Sequence, residues 1–366
     1  MTDLSARAAA SATVPDLGPA GELLSRHTTL RVGGPARRFV PATTTDAVID
    51  AVSACDSRGE PVLLLSGGSN LLVGDDGFDG TVVHIATRGV HLDSGSACAG
   101  VSLRVAAGEA WDDVVAHAVE HGYVGIEALS GIPGSTGATP VQNVGAHGQE
   151  VAETIATVRT WDRQEGRIRT LAAADCEFGY RTSRFKQERF RGGPRFVVLE
   201  VTFQLPLGDL GAPVRYAELA RALGVELGGR AQLTAVREAV LGLRRRKGMV
   251  LDDVDPDTWS AGSFFTNPVL TADQAASLPA EAPRWPMPDG RVKTSAAWLI
   301  EHAGFTSGHG LPGPASLSTK HTLALTNRGT ARSADLVTLA REVRDGVRAV
   351  FGISLEPEPV LVGCRI

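Results

Sequence analysis

The chain has 366 residues, which is too long for a single compact core and predicts two or three domains. Its 43% hydrophobic and 21% charged residues are typical of a soluble globular protein. The formal net charge is −5 and the cationic residues are scattered, so no nucleic-acid-binding surface is expected. The apolar run at 61–65 is far too short to span a membrane, and residues 1–18 are predicted to form a flexible tail without the features of a signal peptide.

The cysteines and histidines give no metal-binding or disulfide pattern. The four cysteines are widely spaced and form no CxxC pair: Cys55, Cys98, Cys176 and Cys364. Buried free thiols are therefore expected, together with a cytoplasmic location. The nine histidines show no metal-ligand spacing, so no metal site is predicted.

Helix and strand patterns alternate through the first half of the chain. The apolar spacing predicts helices at 45–58 and 110–121, and strands at 61–65, 81–86, 101–107, 154–161, 167–171 and 196–205. In the second half it predicts helices at 216–223, 235–246 and 295–302, and one that begins at Ser333 and ends at Gly352, with a proline-rich linker at 279–290. The pattern indicates an α+β protein.

A glycine-rich turn, Ser66-Gly-Gly-Ser-Asn-Leu-Leu72, directly follows a predicted strand. Its glycines let backbone N–H groups point toward one centre, and its Ser and Asn side chains add donors, so it could hold a pyrophosphate. When the segment is taken alone, a plain tight turn is the better explanation, because Gly-Gly-Ser turns are common.

The segment 131–148 is a more specific signal. It has glycines at 131, 134 and 137, two prolines, and the pair Gln142-Asn143 within eighteen residues of irregular sequence. A flexible linker would lack the interspersed Ile132 and Val141, which need burial. We therefore interpret it as a cofactor-binding loop.

Three further motifs carry reactive side chains. Arg181 lies in a segment rich in aromatics and cations, 178–186, and could bind a carboxylate through two hydrogen bonds. Ser263 follows a glycine and precedes two phenylalanines, and the chain has no Gly-x-Ser-x-Gly motif, so a hydrolase is not expected. Glu356 and Glu358 precede an apolar run, which predicts that at least one of them faces inward.

The order of these motifs resembles the UDP-N-acetylenolpyruvoylglucosamine reductase family, in the subclass with a tyrosine that closes over the nucleotide. The resemblance runs from His27, in His27-Thr-Thr-Leu-Arg-Val-Gly-Gly34, to the C-terminus. It implies a vanillyl-alcohol-oxidase-type FAD-binding domain in two subdomains, followed by an α+β substrate-binding domain. The implied boundaries are 19–85 for the first subdomain, completed by 353–366, then 86–230 for the second and 231–352 for the substrate-binding domain.

The resemblance also implies a reaction. NADPH would reduce non-covalently bound FAD, which would then reduce UDP-N-acetylglucosamine enolpyruvate to UDP-N-acetylmuramate for peptidoglycan synthesis. The family's catalytic Arg falls on Arg181, its proton-donating Ser on Ser263, and its Glu on Glu358, with Glu356 as the alternative. The residues alone do not distinguish NADPH from NADH.

The implied binding residues are carried over position by position. Those for the cofactor are Ser66, Gly67, Gly68, Ser69, Asn70, Leu71, Gly131, Ile132, Pro133, Gly134, Ser135, Gly137, Ala138, Gln142, Asn143 and Gly145. Those for the substrate are Tyr180, Tyr216, Lys247 and Asn267. The neighbouring Arg244–Arg246 could instead be a solvated helix end.

Two other functions remain compatible with the sequence. One is an FAD-dependent oxidase of a hydroxy acid or sugar lactone, which would leave the Gly-Ser-Phe-Phe motif unexplained. The other is a non-catalytic UDP-sugar-binding protein, which the presence of Arg181, Ser263 and Glu358 together disfavours. We expect a small-molecule substrate, no nucleic-acid or membrane partner, and an oligomeric state that the sequence leaves open, with a monomer favoured.

Overall fold

The computed structural model describes residues 21–96 and 100–366. The predicted tail at 1–18 and Cys98 lie outside the described residues. The other three cysteines are free thiols, with Cys55 and Cys176 buried and Cys364 partly exposed.

The first region is a small parallel sheet covered by one helix. Its elements are β1 Ala36–Ala42, α1 Thr45–Arg58, β2 Val62–Leu65, β3 Leu71–Val73 and β4 Phe78–Ile85. The order in the sheet is β1-β4-β2, and both outer strands run parallel to β4. Helix α1 begins where the Thr44 side chain accepts a hydrogen bond from the Ala47 amide, and it ends at Gly59 with φ of 67°.

The second region is built on a five-stranded antiparallel sheet. Its elements are β5 Val90–Ser96, β6 Gly100–Ala106, α2 Trp111–Glu120, β7 Gly145–Ala146, β8 Gln149–Glu150, β9 Ile155–Asp162, β10 Arg167–Ala172, α3 Arg184–Gln187, β11 Arg189–Phe190, β12 Gly193–Pro194 and β13 Phe196–Leu205. The main sheet has the order β10-β9-β13-β6-β5. Residues that alternate along β6 are buried, as expected of a sheet with one face in a core.

The remaining chain is mostly helical with short strand pairs. Its elements are α4 Ala217–Leu223, α5 Leu233–Arg246, β14 Val269–Leu270, α6 Ala272–Ala276, β15 Arg284–Pro286, β16 Val292–Thr294, α7 Ala296–His302, β17 Ala315–Leu317, β18 Leu325–Asn327, α8 Ser333–Phe351 and β19 Val360–Val362. Helix α8 ends at Gly352, where φ is 68°.

The C-terminal strand returns to the N-terminal region. Strand β19 pairs in parallel with β3, with Val360 opposite Leu71 and Val362 opposite Val73. Val362 is buried in one cluster with Leu65 and Val73. This pairing brings the segment just before β19 next to the glycine-rich turn that precedes β3.

Packing between the regions is extensive. Leu30, Val32 and Leu72 of the N-terminal region are buried in the same apolar cluster as α7 and α8. Helix α5 packs on α4 in a cluster that also includes Ala128 and Val214. The predicted boundary at 230/231 therefore falls within a packed layer, and the division into domains stays a prediction.

The predicted helices and the long strands are confirmed to within a few residues. The linker prediction at 279–290 is wrong in part, because β15 lies inside it and pairs with β16. The three residues of β15 are all exposed or half-exposed. The strand therefore has no alternation of apolar and polar residues from which it could be predicted. Among the described residues, no helix is both long enough and apolar enough to cross a membrane.

Candidate active site

A cavity of about 590 Å³ lies between the glycine-rich turn and the loop 131–148. All the predicted cofactor-binding residues except Gly131 and Asn143 line it, as do Arg181, Ser263 and Glu358. Its apolar walls come from β2, α2, α3, β13 and β19, including Trp111, Phe185 and Phe196. The structure thus brings together segments that are far apart in the chain.

Two glycines of the turn allow close backbone contacts, Gly67 with the loop 131–148 and Gly68 with the segment at His27. A Cβ added at Gly67 would lie 2.6 Å from Gly134 Cα, and one at Gly68, where φ is 60°, would lie 1.7 Å from the His27 carbonyl oxygen. No L-residue fits at either position without backbone movement. The Ser69 hydroxyl further joins the loops by donating to the Pro133 carbonyl at 3.0 Å.

Four buried polar atoms of the cavity lining have no hydrogen-bond partner among the described residues, namely Arg181 Nε, Arg244 Nε and two atoms of the predicted cofactor-binding residues. The latter two are Ser66 Oγ and Gln142 Oε1. Buried polar groups in proteins are nearly always hydrogen-bonded, so these two atoms indicate where a bound molecule would supply a partner.

Arg181 is the third residue of a four-residue turn. The first and last residues of this turn, Gly179 and Thr182, form backbone hydrogen bonds with each other. Its φ of 53° is left-handed, which is uncommon for a residue with a side chain. The guanidinium donates through Nη2 to the Gly145 carbonyl at 3.0 Å and contacts the Asn143 carbonyl through Nη1 at 3.5 Å. Its Nε lies 3.2 Å from Glu358 Oε1, an ion-pair distance, but the N–H does not point at that oxygen and Nε makes no hydrogen bond to a described residue.

Ser263 and Glu358 are held by a short antiparallel pairing. The Glu358 amide donates to the Phe264 carbonyl at 2.8 Å, and Phe265 pairs with Pro357. Phe264 and Phe265 are fully buried, so they anchor the backbone from which Ser263 faces the cavity. Ser263 Oγ makes no hydrogen bond within the described part of the chain. Glu356 is exposed, so the structure places Glu358, and not Glu356, beside Arg181.

The Glu358 carboxyl is in an environment that favours its neutral form. Burial raises its pKa above the ordinary value, and the positive charges of Arg181 and Lys186 oppose this shift only in part. The Glu358 carbonyl also accepts from the Asn70 and Gln142 side chains, each at 3.4 Å. The carboxyl is thus tied to both cofactor loops through its own backbone.

Gly131 and Asn143, the two predicted cofactor-binding residues that do not line the cavity, form hydrogen bonds that stabilise the loop 131–148. The Gly131 amide donates to Asp112 at 2.6 Å. The Asn143 side chain donates to Glu150 at 2.7 Å and to the Gly179 carbonyl at 3.2 Å, so it connects the loop to the Arg181 turn.

The predicted substrate-binding residues form two groups outside the cavity lining. In the first, burial raises the pKa of the Tyr180 phenol, although neighbouring Arg181 and contacts with Asn267 oppose the shift. In the second, the half-exposed Tyr216 ring packs edge-to-face with the His147 ring, with their centroids 5.5 Å apart. Lys247 donates a hydrogen bond to the Glu218 carboxylate at 2.7 Å.

Three charged residues of the cavity wall were not among the predicted site residues: Lys186, Arg189 and Arg244. The sequence left open that Arg244 is part of a solvated helix end, but it is buried, lines the cavity and donates to the Met249 carbonyl. Burial lowers its pKa to about 10. Lys186 also lines the cavity. A basic cluster at a helix end resembles a solvated end in sequence, and only the packing of α5 distinguishes the two.

Comparison with known proteins gives the family. A family model described as the C-terminal domain of UDP-N-acetylenolpyruvoylglucosamine reductase matches residues 255–362, and one described as an FAD-binding domain matches 36–172. UDP-N-acetylenolpyruvoylglucosamine reductase of Cutibacterium acnes is 60% identical over 94% of this chain and 90% of its own length. The chain belongs to the UDP-N-acetylenolpyruvoylglucosamine reductase family.

Further relatives agree with this membership. The Streptomyces coelicolor protein of the same name is 57% identical over 94% of this chain and 90% of its own length. The crystal structure of UDP-N-acetylenolpyruvylglucosamine reductase from Thermus caldophilus matches the fold with a TM-score of 0.61 and 24% identity, over 94% of this chain and 99% of that one. The predicted family, α+β fold class, FAD cofactor and reductase function are confirmed.

The residues around the cavity fit FAD. The glycine-rich turn offers backbone amides and the hydroxyl of Ser66 to a pyrophosphate, Gln142 offers an amide with a free oxygen, and the apolar walls suit an aromatic ring system. Within residues 21–96 and 100–366, no group of three or more His, Cys, Asp or Glu side chains is placed to hold a metal ion.

Proposed function

We propose that Arg181, Ser263 and Glu358 are the catalytic residues with which this chain reduces UDP-N-acetylglucosamine enolpyruvate to UDP-N-acetylmuramate. The observation that carries the proposal is that these three side chains line one cavity together with both predicted cofactor loops. FAD, which the glycine-rich turn 66–72 and the loop 131–148 would hold, would supply the hydride transfer from NADPH to C3 of the enolpyruvyl group.

Arg181 is proposed to bind the enolpyruvyl carboxylate. Negative charge develops on C2 and this carboxylate as hydride reaches C3, and a guanidinium fixed by backbone carbonyls is oriented for it before the reaction begins. Its Nε is free of other hydrogen bonds to described residues and can donate to the substrate.

Glu358 is proposed to act in its protonated form. A neutral carboxyl can donate a hydrogen bond to the substrate carboxylate, whereas a carboxylate at the same place would repel it. The burial that raises the pKa of Glu358 supports this role.

Ser263 is proposed to donate the proton that C2 receives. A hydroxyl is a weak acid, but a carbanionic carbon is a strong base, so the transfer is chemically reasonable. The rigid Phe264–Phe265 anchor would keep the hydroxyl in place without engaging it in a competing hydrogen bond.

The remaining predicted residues are proposed to hold the cofactor and nucleotide. Tyr216 would close over the nucleotide, and Lys247 and Asn267 would contact the diphosphate. Lys247 now pairs with Glu218, so we expect it to exchange that partner for the diphosphate. We further propose that the protein works as a monomer in the cytoplasm, without a nucleic-acid or membrane partner.

The experiment that tests the proposal is product analysis after incubation with NADPH and UDP-N-acetylglucosamine enolpyruvate. Mass spectrometry should show a product that has gained two hydrogen atoms, with one NADPH consumed per product. Consumption of NADPH without this product, balanced by oxygen uptake, would support an oxidase instead.

A further inference from the structure

Lys186 is a cation of the cavity wall to which the proposed reaction assigns no role. It lies on α3, is half-buried and lines the cavity beside Arg181 and Glu358. Its ammonium group donates to the Arg181 carbonyl at 3.0 Å. In the described part of the chain it makes no salt bridge with a carboxylate, so an ion pair does not explain its position.

The carbonyl that Lys186 holds belongs to a residue in a strained backbone conformation. Arg181 has φ of 53°, which L-residues rarely adopt unless the surroundings fix it. The contact from Lys186 restrains the backbone on the C-terminal side of Arg181, while the Gly145 carbonyl restrains its guanidinium. Backbone and side chain are thus fixed independently.

Lys186 also contributes to the charge balance around Glu358. The groups that face this carboxyl are the cations of Arg181 and Lys186 and the phenol of Tyr180. Burial lowers the pKa of Lys186, and the Glu358 charge opposes that shift. Because the carboxyl and the ammonium influence each other, removing the cation must make Glu358 harder to ionise.

We propose that Lys186 is a positioning residue, whose ammonium group holds the strained Arg181 backbone and adds a positive charge to the cavity wall that carries Glu358. The inference rests on the proposed roles of Arg181 and Glu358. Lys186 is inferred to act on the substrate through these two residues and not by contact.

The test compares the half-reactions in Lys186→Met, Lys186→Arg and wild type. Flavin reduction by NADPH and its reoxidation by UDP-N-acetylglucosamine enolpyruvate are followed separately under anaerobic conditions. Reoxidation by Lys186→Met should slow by about 10- to 100-fold, the order expected when reacting groups are misplaced, with flavin reduction little changed. Lys186→Arg, which keeps charge and donor, should restore most of the rate. Lys320→Met, which removes an ammonium paired with Asp255 away from the cavity, is the matched control.

The pH profile of reoxidation separates positioning from simple packing. The part of the pH profile that disappears in Glu358→Gln is assigned to the titration of Glu358. In Lys186→Met, this limb of the profile should move to higher pH by about one unit. The direction is the same whether the active form is protonated or ionised, because loss of a nearby cation raises the pKa in both cases. If Lys186→Met does not retain flavin, Lys186→Gln replaces it, and the same shift is expected.

The possible results differ clearly. A wild-type enzyme that is not reoxidised by the enolpyruvyl sugar would refute the proposed function itself. A wild type that works, together with an unshifted limb in the neutral variants, would overturn only the inference on Lys186. Equal slowing in Lys186→Met and Lys186→Arg would also overturn it, since charge would then be irrelevant.

Discussion

The Arg181 side chain shows how a single residue can be fixed on several sides before substrate binds. Its guanidinium donates a hydrogen bond to the Gly145 carbonyl, and its backbone carbonyl accepts one from Lys186. The Glu358 carboxyl lies at ion-pair distance from the guanidinium. Such restraint reduces the reorganisation needed when charge develops on the substrate. The site should therefore be sensitive to small changes in the shape of this side chain.

Arg181→Lys tests that sensitivity. Lysine keeps the charge but cannot bond to Gly145 and to a carboxylate in the same plane, so we expect reoxidation of the flavin by the enolpyruvyl sugar to fall by about 100-fold. Stopped-flow measurement of both half-reactions would check this. An unchanged reoxidation rate would contradict the assignment of the planar guanidinium.

Ser263→Ala tests the proton donor. We expect the flavin to be reduced by NADPH at the wild-type rate, and its reoxidation by substrate to fall by roughly 100-fold or more, because positioned general acids contribute on this order. Ser57→Ala, which changes an exposed serine of α1, is the control. If the alanine variant lost both half-reactions, a structural role for Ser263 would be the better explanation.

At the scale of elements, the contact between α2 and α5 supports the cofactor loop. Asp112 of α2 accepts two hydrogen bonds from Arg237 of α5, at 2.6 and 2.9 Å, and a third from the Gly131 amide at 2.6 Å. Burial alone would raise the pKa of Asp112, but these hydrogen bonds outweigh it and lower the pKa. One carboxylate thus joins two helices to the start of the loop.

Asp112→Asn should lower the free energy of unfolding by about 1–2 kcal/mol at neutral pH, discounted for the partial exposure of the pair. Because the folded-state pKa is lowered, the stabilisation is fully present above the unfolded-state value and is lost as pH falls through the folded-state value. The difference from wild type should therefore shrink below about pH 4. Urea unfolding across pH would measure it, with exposed Asp113→Asn as control. A difference that persisted in acid would contradict the ionic origin.

Element prediction succeeded where a segment's own apolar spacing determines its structure. Helix α1 occupies the predicted residues 45–58, and α8 begins at Ser333 and ends before Gly352 as predicted. Strand β15 could not be predicted, because its three residues carry no alternation and gain their structure from pairing with β16.

At the scale of the whole molecule, the chain's last strand brings the proposed catalytic groups together. Strand β19 pairs with β3, so Glu358 arrives beside the glycine-rich turn. The motifs in the sequence predicted Arg181, Ser263 and Glu358, which line one cavity, but the burial of Arg244 and the position of Lys186 depend on tertiary packing. Such contacts join residues far apart in the chain and leave no local pattern to read.

Val362→Ala tests the contribution of the pairing between β19 and β3. Removing two methyl groups from a buried site should lower the free energy of unfolding by about 2 kcal/mol and weaken flavin retention. Val350→Ala, at an exposed position of α8 outside the cavity lining, should have little effect. Thermal unfolding and flavin content would be measured together, and equal effects of both variants would contradict the role of the buried face.

The most direct test of the central claim is an anaerobic visible spectrum, taken after NADPH and again after UDP-N-acetylglucosamine enolpyruvate. The account predicts that NADPH bleaches the flavin band and that the enolpyruvyl sugar restores it without air. A bleached flavin that returns only when oxygen is admitted would contradict the account and favour an oxidase.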